Sequence, residues 1–320
     1  MVLTFNIIFT AGTVFELRAF AWSVAAASDA RLRLVANGLD ETEEGQLRAF
    51  CETDPRLTFH RHPTRKMAEH GDVLNALLEF DDGEYFAFLD SDIFAVGDFV
   101  TPALEALGDG AAVFSGVPVW ATPSDQVAPS TARRYGGPQN RVAGGACLGT
   151  SYFAIYRRDV LDRCRAAHGV GMEKTKDAAR LPAEVRAAID RVGALVDGYE
   201  TAKALNLLLD AEGHRLVVTP LDGLRHVGGL SLLAKKAAAD RPYLPDGRGT
   251  PTGFTNVEKP WIPRKRFTCH YLSAHVSALA RGESTDGIAP PPIDDPEVRA
   301  AVEETAARLA ELYARFWPRL

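Results

Sequence analysis

The sequence predicts an α/β fold in which a mostly parallel, doubly wound sheet is flanked by helices. Short apolar runs of strand length alternate with longer stretches of helical period along residues 1–232. The run YFAFL at residues 85–89 is apolar at every position, which is typical of a strand buried on both faces of a parallel sheet. With 320 residues, of which 46% are hydrophobic, the chain can bury a sizeable core.

Each predicted element follows from its local pattern. The first strand spans residues 3–9, and Thr13 then opens a helix in which Glu16 completes a capping box. A second strand over residues 32–36 ends at Asn37-Gly38. Further strands are predicted at residues 57–60, 85–89, 112–116, 151–156 and 214–219, and further helices at residues 41–51 and 70–80. Residues 117–149 are rich in Pro, Gly, Ser and Arg, which predicts a long functional loop or lid.

The pattern changes after residue 232, so residues 233–320 are predicted to form a C-terminal extension to the main domain. Residues 240–295 contain many of the prolines and show little periodicity. Residues 295–316 predict an amphipathic helix with one apolar face, formed by Val298, Val302, Leu309, Leu312 and Phe316. Its charges are of both signs, which favours docking on the main domain or on a second copy of the chain over a membrane surface.

Charge, cysteine spacing and hydropathy indicate the kind of partner and the cellular location. The formal net charge of -6 gives no support to binding of nucleic acid. The four cysteines are widely spaced and form no C-x-x-C pair, which favours buried free thiols in a reducing compartment. The N-terminal residues lack a basic leader, and no window approaches the roughly 20 apolar residues that a membrane span needs. We therefore expect a cytoplasmic protein.

The segment FLDSDIF, residues 88–94, carries the strongest chemical signal. Asp90 and Asp92 follow a buried strand, at the sheet edge where open α/β sheets bind ligands. Residues i and i+2 of an extended segment point the same way, so both carboxylates can converge on one Mn²⁺ or Mg²⁺ ion. The alternative is a polar turn that ends the strand, but the apolar Ile93 and Phe94 that follow disfavour it.

Residues 85–94, YFAFLDSDIF, resemble the D-x-D segment of GT-A-fold glycosyltransferases, particularly those of family 2. The resemblance covers residues 1–232 and implies a catalytic domain that binds a nucleoside diphosphate sugar. It implies donor-binding roles for eight positions and metal binding by Asp90 and Asp92. The eight positions are Thr10, Ala11 and Gly12 in the turn after the first strand, Asn37, Lys66, Asp90, Ser91, and Gly145 in a glycine-rich turn.

The segment Asp197-Gly198-Tyr199-Glu200 resembles the acidic motif that supplies the catalytic base in inverting members. The resemblance does not decide between Asp197 and Glu200, and Asp197 is preferred. The two acidic residues stand three apart at a predicted helix start, so an N-cap pair is the structural alternative.

His226 follows the last predicted strand, where some GT-A enzymes present a third metal ligand, and a neutral imidazole can complete a Mn²⁺ site. His270 and His275 compete for that role, and a hydrogen-bonded structural histidine is the alternative.

These features predict a metal-dependent glycosyltransferase of the hexosyltransferase class. It would move a sugar from a nucleoside diphosphate donor to a hydroxyl-bearing small molecule or glycan, and an acidic base would make the reaction inverting. A sugar-phosphate nucleotidyltransferase is the alternative, but the turn FTAGTVFE has no basic residue to hold a triphosphate. A non-catalytic binding protein of the same fold is the second alternative. A homodimer through the C-terminal helix is a further expectation.

Overall fold

The computed structural model describes residues 3–116, 146–194, 198–228, 230, 261–290 and 296–319, and the structural statements below concern these residues. Most of the predicted loop at residues 117–149 lies outside them. Within the proline-rich stretch, residues 240–260 and 291–295 also lie outside them.

Seven strands form one sheet in the order β3-β2-β1-β4-β7-β6-β8. The chain's strands are β1 Thr4–Thr10, β2 Arg31–Asn37, β3 Leu57–Arg61, β4 Tyr85–Asp90, β5 Ile93–Ala95, β6 Ala112–Ser115, β7 Phe153–Arg157, β8 Leu216–Thr219 and β9 Leu224–His226. Strands β1 to β4 pair in parallel, β7 runs antiparallel to both β4 and β6, and β8 is parallel to β6. Strands β5 and β9 form a separate antiparallel pair. The mostly parallel sheet confirms the predicted fold class.

Helices cover both faces of the sheet. They are α1 Val14–Ala26, α2 Glu41–Cys51, α3 His70–Phe80, α4 Val100–Leu107, α5 Arg158–His168, α6 Ala183–Arg191, α7 Lys203–Ala211, α8 Trp261–Ala280 and α9 Pro296–Phe316. Alternate residues of β4 point to opposite faces. Ala87 and Leu89 join a core with α1, α2, α4, α8 and α9, whereas Phe86 and Phe88 join a core with α3, α5, α6 and α7. Burial on both faces explains why this strand is apolar throughout.

The beginning of α1 differs from the predicted capping box. The hydroxyl of Thr13 donates to the carbonyl oxygen of Thr10 at 2.6 Å and makes no cap hydrogen bond, and Glu16 accepts from Ser277 of α8 instead. The carboxylate of Glu43, from α2, accepts from the backbone amides of Gly12 and Val14. The prediction was wrong because a side chain distant in sequence supplies the negative charge that a helix N-terminus favours.

The C-terminal helices pack on α1. Val302, Leu309, Leu312 and Phe316 of α9 are buried, as the amphipathic pattern predicted, and the side chain of Val298 lies outside the described residues. The ring of Phe316 lies 6.0 Å from that of Trp22 and 6.2 Å from that of Phe50. The apolar face of α9 is therefore buried against other helices of the same chain, which disfavours the predicted homodimer through this helix. Helix α8 was not predicted, because its sequence lacks a clear helical period. Among the described residues, no helix is long and apolar enough to cross a bilayer.

Candidate active site

Asp90 and Asp92 lie at the carboxyl edge of the sheet, as the sequence predicts. Asp90 is the last residue of β4, and its backbone amide donates to the carbonyl oxygen of Tyr152 at 2.8 Å. Asp92 lies between β4 and β5 with only 6% of its side chain exposed, against 36% for Asp90. Ser91 between them is buried. The edge of the sheet thus presents one accessible and one enclosed carboxylate.

The pairing of β5 with β9 brings His226 to Asp92. Ile93 is opposite His226 in this antiparallel pair, and the backbone amide of Val227 donates to the carbonyl oxygen of Asp92 at 3.1 Å. As a result, Nε2 of His226 lies 3.3 Å from Oδ1 of Asp92. The structure therefore places together three of the residues that the sequence marks as metal ligands.

One potential ligand atom each of Asp90, Asp92 and His226 lies within 4.8 Å of the others. Oδ2 of Asp92 accepts from the backbone amide of Leu230 at 3.2 Å, whereas the buried Oδ1 accepts no hydrogen bond of good geometry from the described residues. A buried carboxylate oxygen without such a donor is costly unless a cation coordinates it. Two carboxylates and an imidazole suit Mn²⁺, and the carboxylates alone suit Mg²⁺. The residues present therefore fit a divalent cation.

The two carboxyls of this cluster have opposite pKa shifts. Although 36% of the Asp90 side chain is exposed, desolvation by the surrounding protein, followed by the charge of Asp92, raises the pKa of Asp90. Burial also opposes ionisation of Asp92, but the neighbouring imidazole of His226 and the amide of Leu230 outweigh it and lower the pKa of Asp92. Without a cation the pair therefore favours one negative charge, and a bound cation would favour two.

Two further side chains support the cluster, and neither was singled out from the sequence. Nε2 of His70, at the beginning of α3, lies 3.7 Å from Oδ1 of Asp90. The ring of Tyr152 stacks on His226 with centroids 4.3 Å apart, and its hydroxyl donates to the carbonyl oxygen of Ser115 at 2.7 Å. From the sequence, His70 can be recognised only as a residue of the predicted helix before β4. Tyr152 can be placed near His226 only when the register of β7 is known.

The other predicted donor-binding residues differ in whether their polar groups already form hydrogen bonds within the protein. Thr10, at the end of β1, has a buried hydroxyl oxygen without a hydrogen-bond partner among the described residues. The backbone amide of Gly12 donates to the carboxylate of Glu43. Ala11 lies in the turn between Thr10 and Gly12. The amide group of Asn37 bonds to both the carbonyl oxygen and the N–H of Ala68. Asn37 thus holds the segment that leads into α3, which is a local reason for its presence.

Lys66 is exposed in that same segment. Gly145 lies outside the described residues. The glycine-rich turn is described only from Ala146 onward, where the carbonyl oxygen of Leu148 accepts from the side chain of Asn206 at 2.8 Å.

The acidic segment is only partly described, because Asp197 lies outside the described residues. Glu200 is 3.5 Å from Nζ of Lys174, with 37% of its side chain exposed. Helix α7 begins at Lys203, and its N-cap is Ala202 in a left-handed conformation with φ 63° and no side-chain cap. Glu200 is therefore not the N-cap of α7, which disfavours the alternative of an N-cap pair; Tyr199 instead forms a β-bridge with Thr175 before the helix begins.

The competing histidines lie elsewhere. His275 is buried in α8, and its Nδ1 lies 2.9 Å from the carbonyl oxygen of Tyr271, which is the arrangement of a structural histidine. The side chain of His270 is outside the described part of the structure.

Residues 17–165, just under half of the chain, match the family model described as Glycosyl transferase family 2. The chain is a GT-A-type glycosyltransferase that resembles family 2. The matched segment includes Asp90 and Asp92, and the recognition made from the sequence is confirmed. No protein of curated function is significantly similar in sequence to this glycosyltransferase.

Some solved glycosyltransferases are similar to it at low sequence identity. The mannosyltransferase PcManGT from Pyrobaculum calidifontis, in complex with GDP-Man and Mn²⁺, is 18% identical with a TM-score of 0.43, over 98% of this chain and 82% of that chain. The galactosyltransferase LgtC, in complex with donor and acceptor sugar analogs, is 12% identical with a TM-score of 0.41, over 93% of this chain and 99% of that one.

Proposed function

We propose that this glycosyltransferase moves a sugar from a nucleoside diphosphate donor to a hydroxyl-bearing acceptor, in a reaction that depends on Mn²⁺ or Mg²⁺ and inverts the anomeric centre. The observation that carries the proposal is the buried Oδ1 of Asp92, which has no hydrogen-bond donor of good geometry and faces the Asp90 and His226 side chains. Asp90, Asp92 and His226 would hold the cation. When bound, it would neutralise the charge that develops on the leaving diphosphate.

Residues of the chain itself would bind and orient the donor. The turn at Thr10, Ala11 and Gly12 lies at the same edge of the sheet as Asp90, because β1 and β4 are adjacent and parallel. The hydroxyl of Thr10, which has no hydrogen-bond partner among the described residues, is proposed to bind the nucleotide. Ser91 and Gly145 are proposed to contact the diphosphate sugar. Asn37 and Lys66 are proposed to form the far side of the base site.

The catalytic base of the proposed inverting reaction is Asp197 or Glu200. Such a base must reach the acceptor hydroxyl within hydrogen-bond distance. Glu200 is half-exposed and lies 3.5 Å from Nζ of Lys174, so an acceptor hydroxyl could reach its carboxylate. The left-handed Ala202 that follows is a strained position of the kind that collects at functional sites.

The contact between Glu43 and the beginning of α1 disfavours the nucleotidyltransferase alternative. That reaction needs the turn after β1 to hold a triphosphate. In this chain the carboxylate of Glu43 occupies the amides of Gly12 and Val14, so an anion there would meet a negative charge.

The test is metal-dependent ligand binding by the wild type and by Asp92→Asn. We expect one UDP-, GDP- or dTDP-sugar to raise the melting temperature of the wild type in the presence of Mn²⁺ and not in EDTA, because a ligand that binds the native state stabilises it. Asp92→Asn should lose Mn²⁺ binding and reduce sugar transfer by about 100-fold or more.

The matched control is Asp82→Asn, an exposed carboxyl at the opposite end of β4. It should leave both binding and transfer unchanged. Transfer activity that persists in EDTA would overturn the metal dependence, and stabilisation by a free nucleoside triphosphate but by no nucleotide sugar would favour the nucleotidyltransferase.

A further inference from the structure

A second group of metal-ligating side chains lies between α5 and α7 and shares no residue with the cluster at Asp92. One potential ligand atom each of Cys164, His168 and Glu212 lies within 4.8 Å of the others. Nε2 of His168 is 2.7 Å from Oε1 of Glu212, and Nε2 of His214 is 3.5 Å from Oε2 of the same carboxylate. One thiol, two imidazoles and one carboxylate are therefore gathered by two segments of the chain.

The local structure explains why these side chains converge. Cys164 and His168 are four residues apart in α5, so they lie on one face of the helix, one turn apart. Glu212 directly follows α7, and Gly213 adopts a left-handed conformation with φ 82°, which turns the chain so that His214 also approaches the carboxylate. The contacts are thus built from one helix face and one tight turn.

The exposure of the four side chains suits a site that an ion can enter. Cys164 is buried within the core formed by α3, α5, α6 and α7. His168, Glu212 and His214 have 18%, 32% and 35% of their side chains exposed. The thiol therefore forms the floor of the group, and the imidazoles and the carboxylate form its open side.

The mixture of donors indicates which metal would bind. Thiolate sulfur, imidazole nitrogen and carboxylate oxygen are the ligands of Zn²⁺, which favours four of them in a tetrahedral arrangement. Mg²⁺ and Ca²⁺ favour oxygen ligands, and this group offers only one carboxylate. We propose that Cys164, His168 and Glu212 form a zinc site, with His214, whose Nε2 lies 3.5 Å from Oε2 of Glu212, as the fourth donor.

An ordinary hydrogen-bonded pair between His168 and Glu212 is the simpler account of the 2.7 Å contact. It accounts for two of the side chains but not for the buried thiol of Cys164, whose sulfur lies within 4.8 Å of the potential ligand atoms of both. Binding of Zn²⁺ would break the S–H bond, form a Zn–S bond and release the proton to solvent. The bound ion would then tie the end of α5 to the turn between α7 and β8.

Cobalt titration tests the proposal without relying on enzyme activity. EDTA-treated Asp92→Asn protein, whose donor-site cluster is disabled, is titrated with Co²⁺ while the near-ultraviolet absorption is recorded. We expect a thiolate-to-cobalt charge-transfer band that saturates at about one equivalent and disappears on addition of Zn²⁺. Wild-type protein should show the same band, so the result does not depend on the folding of any variant.

Cys164→Ser in this background should abolish the band, and His168→Gln should weaken Co²⁺ binding. The matched control is Cys51→Ser, since Cys51 is another free helical cysteine whose pKa burial raises to about 12, and it belongs to neither cluster. It should leave the band unchanged. Absence of a charge-transfer band from folded wild-type protein, or a band that persists in Cys164→Ser, would overturn the proposal. A failed donor-binding test for the proposed transferase would leave this result unaffected.

Discussion

At the scale of single residues, the orientation of His226 depends on a side chain that no motif identifies. The ring of Tyr152 stacks on the imidazole, while its hydroxyl is anchored on the carbonyl oxygen of Ser115. Side chains that orient a metal ligand commonly contribute about 10- to 100-fold to metal affinity. Tyr152 is therefore a positioning residue for the proposed cation.

We expect Tyr152→Ala to weaken Mn²⁺ binding by about tenfold, because the imidazole of His226 loses its stacking partner. Tyr152→Phe keeps the ring and removes only the hydroxyl, so its Mn²⁺ affinity should stay within about threefold of the wild type. Equilibrium dialysis with Mn²⁺ measures both. An equal loss of Mn²⁺ affinity in the two variants would show that the hydroxyl of Tyr152, and not its stacked ring, orients His226.

Gly71 permits a close approach of backbone to the helix that carries His70. A Cβ atom at Gly71 would lie 2.1 Å from the carbonyl oxygen of Met172. We expect Gly71→Ala to lower the free energy of unfolding by about 1–3 kcal/mol, because overpacking forces backbone apart. Urea denaturation measures the change.

Gly45→Ala is the control for that substitution. Gly45 also lies in a helix, but an added Cβ there would meet nothing within 4 Å. The higher helix propensity of alanine should raise the free energy of unfolding by up to about 1 kcal/mol. A stabilising effect of Gly71→Ala would show that the segment at Met172 moves aside without cost.

At the scale of elements, α9 belongs to the core of the sheet domain. Tyr313 donates from its hydroxyl to the backbone carbonyl oxygen of Glu16, and Leu309 is completely buried. The division at residue 232 was a prediction from composition and remains one. The packing of α9 on α1 nevertheless indicates that the extension and the first helix are stabilised together.

We expect Leu309→Ala to destabilise the protein by about 2–5 kcal/mol, because it leaves a cavity between α9 and α1. The exposed Glu303 on the same helix provides the control, since Glu303→Ala should change stability by less than about 0.5 kcal/mol. Urea denaturation followed by circular dichroism measures both. A single cooperative transition at a lower midpoint is expected, whereas early loss of one fraction of the helical signal would mean that the C-terminal helices unfold separately.

At the scale of the whole molecule, the surface carboxylates determine how stability depends on pH. Four carboxyls have a pKa lowered by hydrogen bonds from arginine side chains. The carboxyls are Asp54, Glu79, Asp109 and Glu283, and their partners are Arg56, Arg165, Arg215 and Arg281. A carboxyl with a lowered folded pKa contributes stability above its unfolded pKa, and the contribution disappears as the pH falls through the folded pKa.

We expect the melting temperature to fall as the pH decreases below about 4, where these four groups begin to take up protons. Asp90 and Asp210, whose pKa values are raised by burial, act in the opposite direction, and their effect is complete once the pH has fallen below about 4. Thermal melts between pH 3 and pH 8 in the presence of EDTA measure the balance. A melting temperature that continues to rise down to pH 3 would contradict this ordering.

The sequence by itself determined several of the helices and strands and the position of the two aspartates. The bounds of α2 and α3 agree with the predicted helices, and β4 runs into Asp90 as expected. These features depend on local periodicity, which neighbouring residues in the chain are sufficient to establish.

Only the tertiary structure decided which distant side chains meet. The pairing of β5 with β9 brings His226 to Asp92, Glu43 replaces the predicted cap of α1, and the bridge at Tyr199 delays α7. The turn after α7 likewise brings Glu212 to Cys164 and His168 on α5. None of these contacts leaves a local pattern, because each depends on strand register or helix packing between segments that are far apart along the chain.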